Sequence, residues 1–171
     1  MSGHHLILGG AKSGKTSYAE QMALNMGDKP VYLATGQAWD DEMSAKIDAH
    51  TIQRGPDWIT VEAPIALDHA LKAVPRDNVV LIDCLTMWLT NLMLAEADID
   101  AATDRVLKVL KSRKAPTVIV SNEVGQGIVP DNKMARQFVT IQGRANQRFA
   151  AACDRVIFVT AGLPLALQGA L

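Results

Sequence analysis

The stretch GGAKSGKT at residues 9–16 follows the apolar run HLIL (5–8) directly and opens a helical pattern over residues 14–26. Its spacing is G-x-x-x-x-G-K-T, with Gly9, Gly14, Lys15 and Thr16 at the defining positions. Glycines let the backbone turn tightly, so that successive N–H groups point at one anion. The helix behind the turn adds the positive end of its dipole. Gly9, Gly10, Ala11, Lys12, Ser13, Gly14, Lys15 and Thr16 are therefore expected to cradle the phosphates of a nucleoside triphosphate. In such a loop Lys15 reaches the β and γ phosphates, and Thr16 ligates Mg²⁺. The motif also commits the start of the chain to strand, loop and helix in that order.

The rest of the chain fits that start. Apolar runs of strand length recur as VYLAT (31–35), VVLIDCL (79–85), TVIVS (117–121) and RVIFVT (155–160). They are rich in Val, Ile and Leu and barely alternate, which suits strands covered on both faces of a parallel sheet. WITVE (58–62) alternates more and reads as an edge strand. Between the runs lie helical stripes. Leu85, Trp88, Leu89, Leu92 and Met93 make one, Val106, Leu107 and Leu110 a second, and Met134, Phe138, Ile141, Ala145 and Phe149 a third. Strands alternating with helices predict an α/β fold of the P-loop NTPase type, with a mostly parallel sheet flanked by helices. The length of 171 residues suits a single domain over 1–171. The terminal stretch LPLALQGAL is apolar and is expected to dock on the domain or on a neighbouring subunit.

Bulk properties narrow the partners. The net charge of −1 provides no basic field for nucleic acid or anionic membrane, so any anion site must be local. Cys84 and Cys153 sit in or beside apolar runs and read as buried small hydrophobes. No Cys/His spacing suits zinc, and no apolar run approaches the ~18 residues of a membrane span. A cytoplasmic protein without a transmembrane segment is expected. His4 and His5 are compatible with a tag remnant, though two histidines are too few to argue for one.

Several polar residues stand out against this background. Asp83 ends an apolar strand, where a carboxylate is costly to bury unless something pairs with it. It is the expected second Mg²⁺ group beside Thr16. A guanine-reading Asn-Lys-x-Asp is missing, since the nearest string, NKMA (132–135), lacks the acid. That argues against a regulatory GTPase. On a helical wheel of DDEMSAKIDAHTIQR (40–54), Met43, Lys46, Ile47, His50 and Arg54 share one face, while Asp41, Ser44 and Asp48 fall opposite. Two cations beside His50 lower its pKa and can hold a phosphate against a free ring nitrogen. The wheel alone leaves a partly buried histidine as the plainer reading and a nucleophile as the sharper one. Asn122 and Glu123 lie just past a strand, where open α/β sheets bind ligands. Arg136, Arg144 and Arg148 offer forks for phosphate oxygens, although surface arginines are the commoner case. Gly143 inside a helical pattern calls for close packing or a subunit contact.

Taken together, these segments resemble the bifunctional adenosylcobinamide kinase / adenosylcobinamide-phosphate guanylyltransferase family. The resemblance runs nearly end to end. It rests on LGGAKSGKTSYAE (8–20), YLATGQAWDDEMSAKIDAH (32–50), RGPDW (54–58), VVLIDCLTMWLTNL (79–92), SNEVGQGIVP (121–130) and ARQFVTIQGRANQRFAAACDRVIFVTAGLPL (135–165). It implies phosphorylation of the aminopropanol hydroxyl of adenosylcobinamide by ATP or GTP, then transfer of GMP from GTP to give adenosylcobinamide-GDP and pyrophosphate. It also implies that His50, which begins H-x-x-x-R, carries the GMP, and that the enzyme is a homotrimer. Lys15 and Asp83 then become catalytic candidates. Lys46, Arg54 and Glu62 join the nucleotide-binding candidates, with Asn122, Glu123, Arg136 and Arg144 behind them. The span from Asp83 to Thr117 is compact, which leaves little room there for inserted substrate contacts. A small-molecule kinase without nucleotidyl transfer and a non-catalytic nucleotide-binding module are the competing readings.

Overall fold

The computed structural model describes residues 3–37, 44 and 55–171. The strands are β1 (His5–Gly9), β2 (Val31–Ala34), β3 (Ile59–Glu62), β4 (Val80–Asp83), β5 (Thr117–Asn122), β6 (Arg155–Thr160) and β7 (Leu163–Gln168). The helices are α1 (Lys15–Leu24), α2 (Leu67–Ala73), α3 (Leu85–Leu94), α4 (Ile99–Lys111) and α5 (Lys133–Ala152). One seven-stranded sheet has the order β3-β2-β4-β5-β1-β6-β7. Its first six strands are mutually parallel, and β7 alone runs antiparallel, against β6.

The apolar runs supply both faces of this sheet. Successive side chains of a strand point to opposite sides. Leu6, Leu33, Val80, Ile82, Ile119 and Val156 face one core, packed by Leu71, Trp88, Leu89, Leu110 and Phe149. Ile7, Leu81, Val118, Val120 and Ile157 face the other, which α1 covers with Ala19 and Ala23. The helical stripes thus point inward as their spacing predicts, except that Met134, at the start of α5, is 60% exposed. Capping fixes two helix starts. Asp98 accepts from the Ala101 amide at 2.9 Å before α4, and Asn132 from the Ala135 amide at 2.8 Å before α5.

Some expectations are sharpened. β3 is an edge strand, but a parallel one beside β2. The apolar C-terminal stretch docks on the sheet as β7, entered through a turn in which Ala161 and Gly162 both have positive φ (51° and 76°). Such a turn suits a tight hairpin. Leu163, Leu165 and Leu167 of β7 stay largely exposed. His4 and His5 are buried. The His4 amide donates to Asp154 Oδ2 at 3.0 Å, and its ring Nε2 meets the Leu110 carbonyl at 3.1 Å. They belong to the fold. Cys84 and Cys153 are buried free thiols, as expected. A Cβ on Gly143 would meet nothing within 4 Å, so close packing within the chain does not explain that glycine.

Candidate functional site

Parallel strands put all their C-terminal ends at one edge of the sheet. Register sets Gly9 of β1 beside Asn122 of β5, and Asp83 of β4 beside Val120 of the same β5. The phosphate loop, the strand acid and the SNE segment therefore meet, although they are far apart in sequence.

The loop from Gly9 to Thr16 has the geometry its sequence demands. Gly14 takes φ 92°, which only glycine adopts freely, and a Cβ there would come within 3.1 Å of the Gly162 Cα. A Cβ on Gly9 would press to 2.6 Å from the Val159 carbonyl. Lys12 also has positive φ, at 58°, and the Ser13 amide donates to the Gly10 carbonyl at 3.3 Å. The result is a concave run of backbone amides leading into α1. The β6–β7 turn props the loop from behind, because the Gly162 amide donates to the Ser13 carbonyl at 2.8 Å. Sequence spacing gave no hint of that strut.

Lys15 is half-buried, and its Nζ donates to the Gly10 carbonyl at 2.9 Å. Burial pulls the ammonium below its ordinary pKa, while the charges of Cys84 and Asp83 oppose the shift. Burial pushes the Cys84 thiol itself up to about 12, so the thiol stays uncharged near neutral pH. Lys15 and Asp83 thus share one site. Tyr32 of β2 donates its hydroxyl to Asp83 Oδ2 at 2.6 Å, a short charge-assisted bond. The Tyr32 ring is met edge-on by Trp58, with centroids 5.5 Å apart. Thr35 fixes the following residue: its hydroxyl donates to the Cys84 carbonyl and accepts from the Cys84 amide, both at 2.7 Å. Tyr32 and Thr35 were missed in the sequence because they look like ordinary residues of an apolar run.

Polar side chains also lock the end of β5. The Asn122 amide donates to Thr86 Oγ1 at 2.9 Å, and Asn146 Nδ2 of α5 donates to the Asn122 carbonyl at 3.1 Å. Beneath them, Ser121, Gln142 and Asn146 form a buried triangle of hydrogen bonds at 2.7–3.0 Å. The Asn122 side-chain oxygen is buried without a partner among the described residues. Glu123 donates its amide to the Gly9 carbonyl at 3.0 Å, tying this segment to the loop. Its carboxylate accepts from the Gly125 amide at 2.6 Å.

The remaining candidates lie elsewhere. Glu62 ends β3 at the same edge but four strand spacings from β1, about 19 Å away. Arg136 is spent on the Pro130 and Asp131 carbonyls, at 2.9 and 2.6 Å. Arg144 pairs with Asp100 of α4 at 3.4 Å, and Arg148 pairs with Asp100 and Asp104. Lys46, His50 and Arg54 lie outside the described residues.

The donor set suits magnesium. The Thr16 hydroxyl and the Asp83 carboxylate are hard oxygens, and Mg²⁺ takes one or two protein ligands while keeping water and phosphate. Among the described residues no cluster of three or more His, Cys, Asp or Glu forms a closed cage for a metal.

A phosphate loop after β1, with an acid two strands away on β4 and β5 between them, defines a P-loop nucleotide-binding protein. Solved structures with this fold include the RadB recombinase (TM-score 0.55, 17% identity, 92% of this chain and 74% of that one) and an ATPase of a bacterial type III secretion system (TM-score 0.58, 11% identity, 97% and 57%). At that identity the likeness concerns the fold alone. Residues 5–167 match the family described as cobinamide kinase / cobinamide phosphate guanyltransferase, and the chain belongs to that family. It is 41% identical to the bifunctional adenosylcobalamin biosynthesis protein CobP of Pseudomonas aeruginosa, over 96% of both chains. It is 39% identical to the CobU protein of the same description from Salmonella typhimurium, over 95% of this chain and 98% of the relative. No helix among the described residues is long and apolar enough to cross a membrane.

Proposed function

We propose that this chain carries both activities of its family. It phosphorylates the aminopropanol hydroxyl of adenosylcobinamide with ATP or GTP. It then transfers GMP from GTP to that phosphate and releases pyrophosphate. The observation that carries this proposal is the meeting of Lys15 and Asp83 at one edge of the sheet, within a family match over residues 5–167.

In the first step the substrate oxygen bonds to the γ-phosphorus as the bond to the bridging oxygen breaks; the nucleoside diphosphate leaves and the hydroxyl proton passes to water. The amides of Gly9–Thr16 and the Lys15 ammonium hold the phosphate charge, an electrostatic task. Mg²⁺, held by Thr16 and Asp83, supplies further charge neutralisation on phosphate oxygens when bound. In the second step a ring nitrogen of His50 bonds to the α-phosphorus of GTP as the bond to pyrophosphate breaks. The substrate phosphate then displaces the histidine, and the P–N bond is exchanged for P–O. Lys46 and Arg54 hold the triphosphate beside His50. Asn122, paired in register with Gly9, is the best placed of the remaining candidates, and Glu62, Glu123, Arg136 and Arg144 follow. The chain works as one domain in the cytoplasm and assembles as a homotrimer, a state to which the exposed leucines of β7 lend support.

GTP labelled at the α-phosphate tests this. Label stays on the wild-type protein after a non-acidic quench, is lost at low pH, and is absent from His50→Ala. Wild type that never holds α-label removes the histidine step and leaves a kinase alone.

A further inference from the structure

A second cleft lies at the opposite edge of the sheet. It is a cavity of about 400 Å³ between α2 and α4, lined by Asp68, Lys72, Arg76, Arg105, Lys108 and Arg113 among others. Arg76 precedes β4 and Arg113 precedes β5, so the cleft stands at the N-terminal ends of strands whose C-terminal ends hold the phosphate site. A strand of four to six residues separates the two by roughly 13–20 Å.

The charge balance of this cleft is unlike that of the chain. Net charge is −1 overall, yet five cations and one carboxylate meet here. That carboxylate, Asp68, is engaged by Arg105 at 3.3 Å and faces His69 at 3.8 Å. Asp77, next to Arg76 in sequence, is drawn to Lys114 at 4.0 Å and also pulls on Arg113. Lys72, Arg76 and Lys108 are exposed and have no ion pair among the described residues.

Helix ends account for part of this charge. Lys72 and Lys108 occupy the last turns of α2 and α4, where cations offset the negative end of the dipole. The end of α2 is already served, though. Arg113 is 4% exposed and donates to the Leu71, Val74, Pro75 and Asn78 carbonyls at 2.6–3.2 Å. Its Nε is buried with no partner among the described residues. Arg76 lies on a loop that the Lys114 and Ala115 amides hold through its carbonyl. A loop arginine and two free lysines around one cavity, with the fixed positive charge of Arg113 behind them, make a receptor for several anionic oxygens. Leu71 and Val74 give the cavity an apolar wall beside the charges.

We propose that this cleft is a second anion site that binds a small phosphorylated molecule, separate from the phosphate loop. Calorimetric titration with inorganic tripolyphosphate at low salt tests it in the full chain. Wild type shows two classes of site. Lys15→Ala keeps the cleft site. Lys72→Glu/Lys108→Glu, at two exposed positions that leave the core intact, weakens it about tenfold or more and keeps the loop site. Raising the salt weakens cleft binding in wild type. A single class of site in wild type overturns the proposal, as does cleft affinity that the double substitution does not change. Citrate that displaces tripolyphosphate with equal affinity overturns the assignment to phosphate.

Discussion

Asp83 stands at the end of a strand buried on both faces, and its carboxylate needs something to hold it in aim. Tyr32 does this, through a 2.6 Å hydrogen bond from the neighbouring strand. The ring above it is steadied by Trp58. Tyr32→Phe keeps the ring and removes the donor. A hydrogen bond to a charged group contributes about 1.5–3 kcal/mol, so the Mg²⁺ concentration for half-maximal kinase rate should rise about tenfold or more. The KM for the nucleotide should move far less, because Lys15 and the loop amides are untouched. A uniform fall in rate with an unchanged Mg²⁺ profile would show that the hydroxyl only packs. Asp83 itself was legible in the sequence, since a charge at the end of VVLID is conspicuous. Tyr32 was not, because a tyrosine in an apolar run reads as core until the adjacent strand is known.

At the scale of elements, the strands were legible because their apolar runs must be covered on both sides. The order of the strands was not, because crossovers decide it. That order explains why Glu62 shares an edge with the phosphate loop and still stands far from it. β7 escaped notice as a strand because its alternating leucines face outward, against the usual pattern. The Ser121–Gln142–Asn146 triangle was equally hidden, since a helical wheel does not say which strand a polar face will meet. Gly143 lies one residue along from that triangle in α5, on a side where an added Cβ meets nothing. Gly143→Ala should therefore stabilise the helix by about 1 kcal/mol and raise Tm by roughly 2–4 °C. Thermal unfolding checks this. Light scattering on the same sample shows whether the glycine serves a contact between copies, in which case the mass falls.

At the scale of the molecule, the two ends of the sheet face different chemistry, and the fold stability depends on the end away from the phosphate loop. His4 and His5 are buried there, and burial holds both imidazoles below the ordinary value of 6.5. Asp154 draws them back in part, while Arg113 acts against His4 and Arg155 against His5. Below about pH 6.5 the unfolded chain takes up protons that the folded imidazoles refuse. Stability therefore falls as pH drops from 6.5 until the folded values are reached, and it is flat in these groups above 6.5. Denaturant titrations between pH 7.5 and 5 should show the decline. A His4→Gln/His5→Gln variant should flatten it, and an unchanged slope would assign the acid sensitivity to other groups.

The strut from Gly162 to Ser13 has a consequence for synthesis. β1 and its phosphate loop leave the ribosome before the other strands, yet they lie inside the sheet. Their two neighbours, β5 and β6, come late, and the turn that braces the loop comes later still. A nascent chain therefore carries the phosphate-loop sequence for most of its translation without the walls that shape it. Competence to hold a triphosphate arrives with the last strands, so an interrupted chain makes no partial kinase.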